Sequence, residues 1–598
     1  MSPPYAIMYT PLTFELMDLV GKNFSMADLL THLSGKDARG LTRKTYLEYL
    51  DFDPEKERIG LPELIGFDNY SSYYIANQIA RADSRIKVII ADGRRRKLRE
   101  IIKNKGQKPA AVFITAISST FPTAVAAALA LNHARIPVVI GGIHVSCSPD
   151  DVNTFMRKNV PYPELITQVR GPGDYQVITR IMDDLTNHHL QAEYLGSTPL
   201  ENGVWGSPRV ESLPDIPLGF LKGLPLLGNY LSRKARLQVT TPYMGCPYSC
   251  SFCSISALPG IQKRFTARSP EDFVEEILSH QRTGHVLKSR FYIFLPDNML
   301  FGKKKLEVLL DYMIQKKVKI NYGVQISVEV ADTPRILEKL RLSGASFLFV
   351  GFESLDIRDL ELMDKHAAKF IRKSGLSVEA FYAEKIKILQ GYGFVVHGAF
   401  MFGLPFNYFN SLQDNSGTKI AEFCNKNKIG IQATCLNDLP GSKNFTDSQA
   451  AGTFMYGRQG TMDYFFSLCS SDLIETNRPM PDALYKSPLL ATYMAYAATQ
   501  GAGRFRKILT SAVFSGVMAW KAPTINGRTN LKQRLLDVLC AVCPLLTARV
   551  YKAQIEGVVF SCNGRRGLFE RLYAREKDPF VLRTFKSFIC EKSPSHRP

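Results

Sequence analysis

Short apolar runs alternate with amphipathic stretches through most of this chain, and that alternation sets the first expectations. IKVIIAD (86–92), AAVFITAISST (110–120), IPVVIGG (136–142) and LITQVRG (165–171) are runs of strand length, rich in β-branched residues. Between and after them lie RRRKLREIIKNKG (94–106), TAVAAALALNHA (123–134) and QVITRIMDDL (176–185), which read as helices. Apolar strands separated by helices predict an α/β unit with a parallel sheet covered on both faces. Ligands of such sheets bind beyond the carboxyl ends of the strands. Those ends fall at Asp92, Ser118 to Thr120, Gly141 to His144 and Gly171 to Asp174.

A second series follows a Pro- and Gly-rich stretch. RLQVTT (236–241), FYIFLPD (291–297), INYGVQIS (320–327), SFLFVGFES (346–354), FVVHGAFMFGLP (394–405) and GIQATCL (430–436) read as strands. Helices fill 269–281, 303–317, 333–344 and 377–392. Six such repeats fit a partial (βα)6 barrel, an open relative of the eightfold one. Beyond 451 the strand signals stop and the text becomes helical and basic, while 1–69 offers only mixed helix and loop. The expected organisation is therefore an N-terminal extension (1–69), a Rossmann-like α/β domain (70–194), a linker (195–234), a partial barrel (235–450) and a helical basic C-terminal domain (451–598).

Composition narrows the class. Of 598 residues, 45% are hydrophobic and 22% charged, values that exclude a disordered or fibrous chain. The net charge is +20, and residues 451–598 hold 21 Lys+Arg against 10 Asp+Glu, so more than half of the excess lies in the last quarter. There it flanks apolar stretches such as FRKILTSAVFSGVMAWKA, the pattern of an interfacial helix or a lid over a hydrophobic substrate. No stretch reaches 18 uninterrupted apolar residues, and the N-terminus lacks the pattern of a signal peptide. A cytoplasmic protein is expected, with peripheral membrane contact through its basic C-terminal region.

Eleven cysteines in such a chain suggest ligands before disulfides. Three stand together in GCPYSCSFCS: Cys246, Cys250 and Cys253, spaced C-x3-C-x2-C immediately after the first barrel strand. Soft thiolates select iron–sulfur clusters or zinc. Three ligands with no near fourth leave one iron of a cubane open to a small molecule; the alternative is a zinc completed by a distant residue. Cys540 and Cys543 form a C-x2-C, but Pro544 follows and no partner pair is near, so burial in a helical core is expected. The eight cysteines outside the triad read as bystanders.

On these residues, 235–450 resembles the radical S-adenosylmethionine (SAM) superfamily. The resemblance implies a [4Fe-4S] cluster on the three cysteines. Its open iron would chelate the amino and carboxylate groups of SAM, whose reductive cleavage yields a 5′-deoxyadenosyl radical. It also implies that Phe252 lies beside the adenine, and that Asp297 and Asn298 of FLPDNM lie near the SAM amino group. Glu353 and Ser354 of VGFES would accept hydrogen bonds from the ribose, and Gly403 of FMFGLP would let backbone approach the nucleoside. ATCLNDLPGS (433–442) is similar to the family's sixth-strand motif, with Cys435 a buried thiol.

Residues 70–190 resemble the cobalamin-binding domain fused to many of these enzymes, through AISSTFPTA, VVIGGIHVSCSP and VRGPGDY. The resemblance implies cofactor contacts by Ser118, Thr120, Gly141, Gly142, His144, Gly171 and Asp174. The glycine pair would pack on the flat corrin. The D-x-H-x-x-G motif that supplies a histidine to cobalt is absent, so cobalt coordination by His144 does not follow. The chain as a whole is similar to cobalamin-dependent radical SAM enzymes of the class B methyltransferase type. The expected reaction is methylation of an unactivated carbon in a small-molecule or lipid-like substrate, with an electron donor such as flavodoxin or ferredoxin. The alternatives are ring formation or rearrangement, or RNA modification without cobalamin. A nucleic-acid partner is not expected, and a non-catalytic sensor would have no use for the triad.

Overall fold

The computed structural model describes residues 4–11, 70–93, 95–196, 238–258, 266–282, 291–300, 302–318, 320–411, 413–454 and scattered positions up to 491. Most of the expected N-terminal extension, the linker and nearly all of the basic C-terminal region lie outside the described residues. The membrane contact expected there, and Cys540 and Cys543, fall with them.

The first unit runs β1 (Tyr5–Pro11), α1 (Tyr70–Ala82), β2 (Lys87–Gly93), α2 (Arg95–Lys105), β3 (Val112–Thr115), α3 (Phe121–His133), β4 (Val138–Gly141), α4 (Ile143–Cys147), α5 (Pro149–Phe155), β5 (Ile166–Arg170), α6 (Tyr175–Thr186) and β6 (Glu193–Leu195). Its strands lie in the order β2-β1-β3-β4-β5-β6 and every pairing is parallel. β1 departs from the expected extension: Ile7 is in register with Ile89 on one side and Val112 on the other, so the N-terminal strand sits inside the sheet. Alternation along it explains why. Tyr5, Ile7 and Tyr9 enter one apolar cluster with Val112, Ile114 and Ile140, while Ala6 and Met8 enter another with Phe113, Val139 and Ile181. Both faces of the sheet are thereby buried, as a doubly wound sheet requires. The order 2-1-3-4-5 has a topological switch point between β1 and β3, where ligands bind in folds of this kind.

The second unit runs β7 (Gln238–Thr240), β8 (Tyr243–Met244), β9 (Thr266–Ala267), α7 (Pro270–Arg282), β10 (Phe291–Phe294), α8 (Lys303–Gln315), β11 (Asn321–Ile326), α9 (Pro334–Ser343), β12 (Ala345–Glu353), α10 (Ile357–Leu362), α11 (Ala367–Ser374), α12 (Val378–Gly391), β13 (Val395–Phe402), α13 (Ser416–Asn427), β14 (Gly430–Cys435) and α14 (Lys443–Ala451). Its six-stranded sheet has the order β7-β10-β11-β12-β13-β14, all parallel, with β7 and β14 as edges. The arc is therefore open. β8 and β9 form a separate antiparallel pair. The six expected strands coincide with these six. Four helices were not anticipated: α10, α11, α13 and α14. α13 starts where Asn415 Oδ1 accepts from the Thr418 N–H at 2.8 Å, a cap that offsets a Gly- and Ser-containing first turn.

Described residues beyond the barrel return to the first unit. Phe445, Phe454, Tyr464, Phe465 and Leu468 share an apolar cluster with β1, β3 and β4. Phe465 stacks against Phe155 at 4.6 Å and meets Phe121 edge-on at 6.4 Å between centroids. Burying such a ring stabilises by about 1.5–3 kcal/mol, so this segment is part of the first unit's core. Among the described residues no helix is long and apolar enough to cross a membrane.

Candidate functional site

The cysteine loop leaves the carboxyl end of β7, the position where barrel enzymes place their chemistry. Gly245, just before Cys246, has φ +90°, a left-handed conformation that favours glycine. Its N–H donates to Asp297 Oδ2 at 2.6 Å, so the strand end after β10 holds the start of the loop. The Cys253 N–H donates to the Cys250 carbonyl at 3.0 Å and tightens the turn. Burial pushes the Cys246 thiol up to about 11 and that of Cys253 to about 12; Cys250 is raised too, chiefly by burial. The charged forms of the three thiols lie close enough to destabilise one another, which brings them to one place. A cation would favour all three thiolates and displace their protons. Among the described residues no three His, Cys, Asp or Glu side chains form a ready metal site.

The other strand ends surround this loop. Burial raises the Asp297 carboxyl above its usual range, against the Gly245 N–H. Asn298 is buried, with Oδ1 accepting from the Leu300 N–H at 3.1 Å. Phe252 packs against the barrel core. At the end of β12, a register shift between Gly351 and Glu353 accompanies a φ of +66° at Glu353. Left-handed backbone at a non-glycine residue on a strand end is a strained feature, of a kind that clusters at functional sites. The Glu353 carboxylate is bound by Lys365 Nζ at 2.7 Å. Burial pulls the Lys365 ammonium down, but Glu353 and Cys250 outweigh it and hold the group above the ordinary lysine range. Ser354 Oγ donates to Asp359 Oδ2 at 3.1 Å and accepts from the Asp356 N–H at 3.0 Å. Gly403 has φ +83° at the end of β13.

Three buried polar atoms at the strand ends find no partner among the described residues: Thr240 Oγ1 on β7, and Ser327 Oγ and Glu329 Oε2 after β11. Such atoms cost stability unless a ligand or water meets them. Together with the three thiols they fit a polar cofactor seated on the loop. Lys365 and Glu329 carry no motif in the sequence. Lys365 is brought to Glu353 by the turn after α10, twelve positions along the chain, and no local pattern announces it.

The first unit's candidates are engaged by protein. His144 is fully buried, with Nδ1 3.1 Å from Ser118 Oγ and Nε2 3.2 Å from Asp151 Oδ2. Tyr464 donates to the same Asp151 oxygen at 2.7 Å. Nδ1 is therefore within hydrogen-bond reach of Ser118, while Nε2 faces Asp151 without making a hydrogen bond. Thr120 Oγ1 accepts from the Ile117 N–H at 3.1 Å. Gly142 has φ +104°, and a Cβ there would lie 2.5 Å from the Ala116 carbonyl oxygen. Glycine is needed to bring the end of β4 against the end of β3, where Gly141 O accepts from the Ala116 N–H at 2.9 Å. The Gly171 N–H donates to Ser146 Oγ at 3.0 Å, which ties the β5 exit to α4.

Asp174 caps α6, its Oδ1 accepting from the Val177 N–H at 3.0 Å. Asp174→Ala is expected to cost about 1 kcal/mol through the lost cap, checked by thermal unfolding. What remains open at the switch point is apolar: Ile117, just past β3, is 53% exposed.

The two units meet beside the cysteine loop. Cys147 Sγ, at the end of α4, lies 3.9 Å from the Ser254 carbonyl oxygen, the residue after Cys253. Gly441, past β14, has φ +87°, and a Cβ there would come within 2.6 Å of Cys147 Sγ. Gln459 Nε2 donates to Ser148 Oγ at 3.1 Å and reaches Asp151 at 3.4 Å. The carboxyl-end loops of the first sheet and the cluster-type loop of the second are thus neighbours. Leu295, past β10, is 47% exposed and adds a second apolar group at a strand end. Cys147 reads as a bystander in the sequence; its contact with Gly441 depends on residues far apart in the chain.

Comparison with known proteins agrees with this arrangement. Residues 240–414 match the family model of the radical SAM superfamily. A bacteriochlorophyllide d C-8(2)-methyltransferase of Chlorobaculum tepidum is 24% identical over 328 residues, covering 53% of this chain and 63% of that protein. A hopanoid C-2 methylase of Rhodopseudomonas palustris is 24% identical over 336 residues, 55% of this chain and 56% of that one. The chain therefore matches between about half and two thirds of the length of these relatives. Among solved structures, the radical SAM methyltransferase TsrM of Kitasatospora setae, with cobalamin and a [4Fe-4S] cluster bound, superposes with a TM-score of 0.51 at 12% identity. It covers 91% of this chain and 100% of TsrM, a likeness of fold.

Proposed function

This chain belongs to the radical SAM superfamily, and from that premise we propose that it is a cobalamin-dependent C-methyltransferase acting on an unactivated carbon of a small-molecule or lipid-like substrate. The observation that carries the proposal is the joint between the units, where Cys147 of α4 touches both Ser254 of the cysteine loop and Gly441. Two cofactors held at the two sets of strand ends would meet there. The methyltransferases that the chain resembles support the reaction class, and the hopanoid enzyme among them acts on a lipid.

When bound, the cluster with SAM supplies an organic radical and cobalamin supplies a transferable methyl group. The chain's own residues do the rest. Cys246, Cys250 and Cys253 hold the cluster as thiolates. Asp297 fixes the loop through Gly245, and Glu353, held in place by Lys365, would face the nucleoside. Ser327, Glu329 and Thr240 offer unpartnered polar atoms to the remainder of SAM. Ile117 and Leu295 supply apolar surface that suits a large flat ring and excludes water.

The reading is tested by anaerobic reconstitution with cobalamin, followed by cobalt analysis and incubation with methyl-labelled SAM. Stoichiometric cobalt and transfer of label to it are expected; a protein that retains no cobalt overturns the cobalamin assignment. Because His144 is fully buried, with Nδ1 beside Ser118 and Nε2 facing Asp151, His144→Gln is expected to leave the visible spectrum of bound cobalamin unchanged. A shift on substitution would identify His144 as a cobalt ligand.

A further inference from the structure

We infer that the exposed face formed by Leu362, Lys369, Phe370, Lys373 and Leu376 is the docking surface for a small acidic protein that carries single electrons to the cysteine loop. The inference rests on the proposed cluster and goes beyond it, because it assigns the surface through which the cluster is reduced.

Position is the first argument. The outer side of the cysteine loop lies against α10 and α11. The Ser251 N–H donates to the Met363 carbonyl at 3.0 Å, and Ser251 Oγ reaches the Leu362 carbonyl at 3.4 Å. Tyr248, between Cys246 and Cys250, stacks on His366 with centroids 4.4 Å apart and planes 22° apart. His366 in turn meets Phe370 edge-on at 5.0 Å. A continuous series of rings therefore runs from exposed Phe370 to the residue between two cysteines.

Surface chemistry is the second. Leu362 is 57% exposed, Phe370 38% and Leu376 41%, a grouping of large apolar side chains within fifteen residues. An exposed apolar cluster of this kind marks an interaction site more often than isolated residues do. Of the carboxylates on this stretch, Asp356 pairs with Arg358 and Glu361 with Arg372, Asp359 is buried, and Asp364 is exposed. Lys369 and Lys373 are exposed and have no carboxylate partner among the described residues. One helical turn apart on α11, they share a face. An apolar centre rimmed by two free ammonium groups complements an acidic partner, which would also be steered to it over a Debye length.

Each docking event moves one electron from the carrier, oxidised by one, to the cluster, reduced by one; no bond is made or broken.

The test uses the full chain carrying Lys369→Glu and Lys373→Glu together, with flavodoxin as the probe. Flavodoxin binding at low salt is expected to weaken about tenfold or more, and the salt dependence seen with the unsubstituted protein should flatten. In reconstituted protein, reduction of the cluster by flavodoxin hydroquinone should slow by at least about tenfold, while reduction by dithionite, which needs no docking, stays unchanged. Lys369→Gln with Lys373→Gln, a milder pair that retains helix propensity, should give an intermediate effect. Equal flavodoxin affinity and equal rates would overturn the assignment, as would parallel losses with both reductants. Loss of binding to anionic lipid vesicles with flavodoxin unaffected would replace it with a membrane surface. If the unsubstituted protein assembles no cluster, the proposed function fails, and the binding measurement alone still decides the docking surface.

Discussion

Cys250→Ala protein, reconstituted anaerobically with iron and sulfide, is expected to lose the roughly four irons of the unsubstituted protein and all production of 5′-deoxyadenosine. The expectation follows from the loop's construction. Three thiols within eight residues lie on one turn whose start is fixed by Asp297 and whose end is fixed by the Cys253-to-Cys250 hydrogen bond. The loop itself holds no fourth thiol, and Cys147 beside it reaches the Ser254 carbonyl, so removal of one ligand leaves two on the loop, too few to hold a cubane. Cys250 is the sensitive choice because the Lys365 ammonium lowers its pKa against burial and so favours its thiolate. A pH dependence accompanies this. Burial raises all three thiols, so each must release a proton when it takes iron. Assembly should strengthen as pH rises from 7 toward 9 and weaken as it falls, measured as iron retained after gel filtration at each pH. A Cys250→Ala protein that still cleaves SAM would remove the mechanism altogether.

How much of this could be read from the chain depends on how far apart the partners lie. The cysteine loop was legible because its ligands are local, and the parallel strands because each is an apolar run followed by a helix. β1 was not legible: its seven residues pair with β2 some eighty positions later, and a short apolar run alone does not separate a core strand from other buried text. Gly142 is required by internal packing against Ala116, a demand the motif does not show. Asp174, likewise, serves first as a helix cap. Resemblance finds positions; only geometry says what already occupies their hydrogen-bonding capacity. The same limit hid Lys365, since a lone lysine in a charged turn has no signature until the fold brings it to a carboxylate.

Lys365→Met should separate what Glu353 does for the fold from what it does for a ligand. The pair is mostly buried, with side chains 18% and 11% exposed. Breaking a buried pair from one side leaves an uncompensated charge, which costs about 3–5 kcal/mol when burial is complete and about 2–3 kcal/mol with this residual exposure. Thermal unfolding should fall by several degrees. SAM binding to the reconstituted protein should weaken by at least about tenfold, because a carboxylate without its cation is no longer held in place. Glu353→Gln added to Lys365→Met removes both charges, and the two sites touch, so their effects are expected to be non-additive. The double variant should recover most of the lost stability. Its SAM affinity should stay low if the Glu353 carboxylate binds the nucleoside, and should recover in step with stability if the pair is only a brace for β12. Equilibrium binding measured beside unfolding on all three variants distinguishes the two. Iron content measured on the same variants separates a loss on the nucleoside side of the cleft from a loss at Cys250, whose thiolate Lys365 also favours.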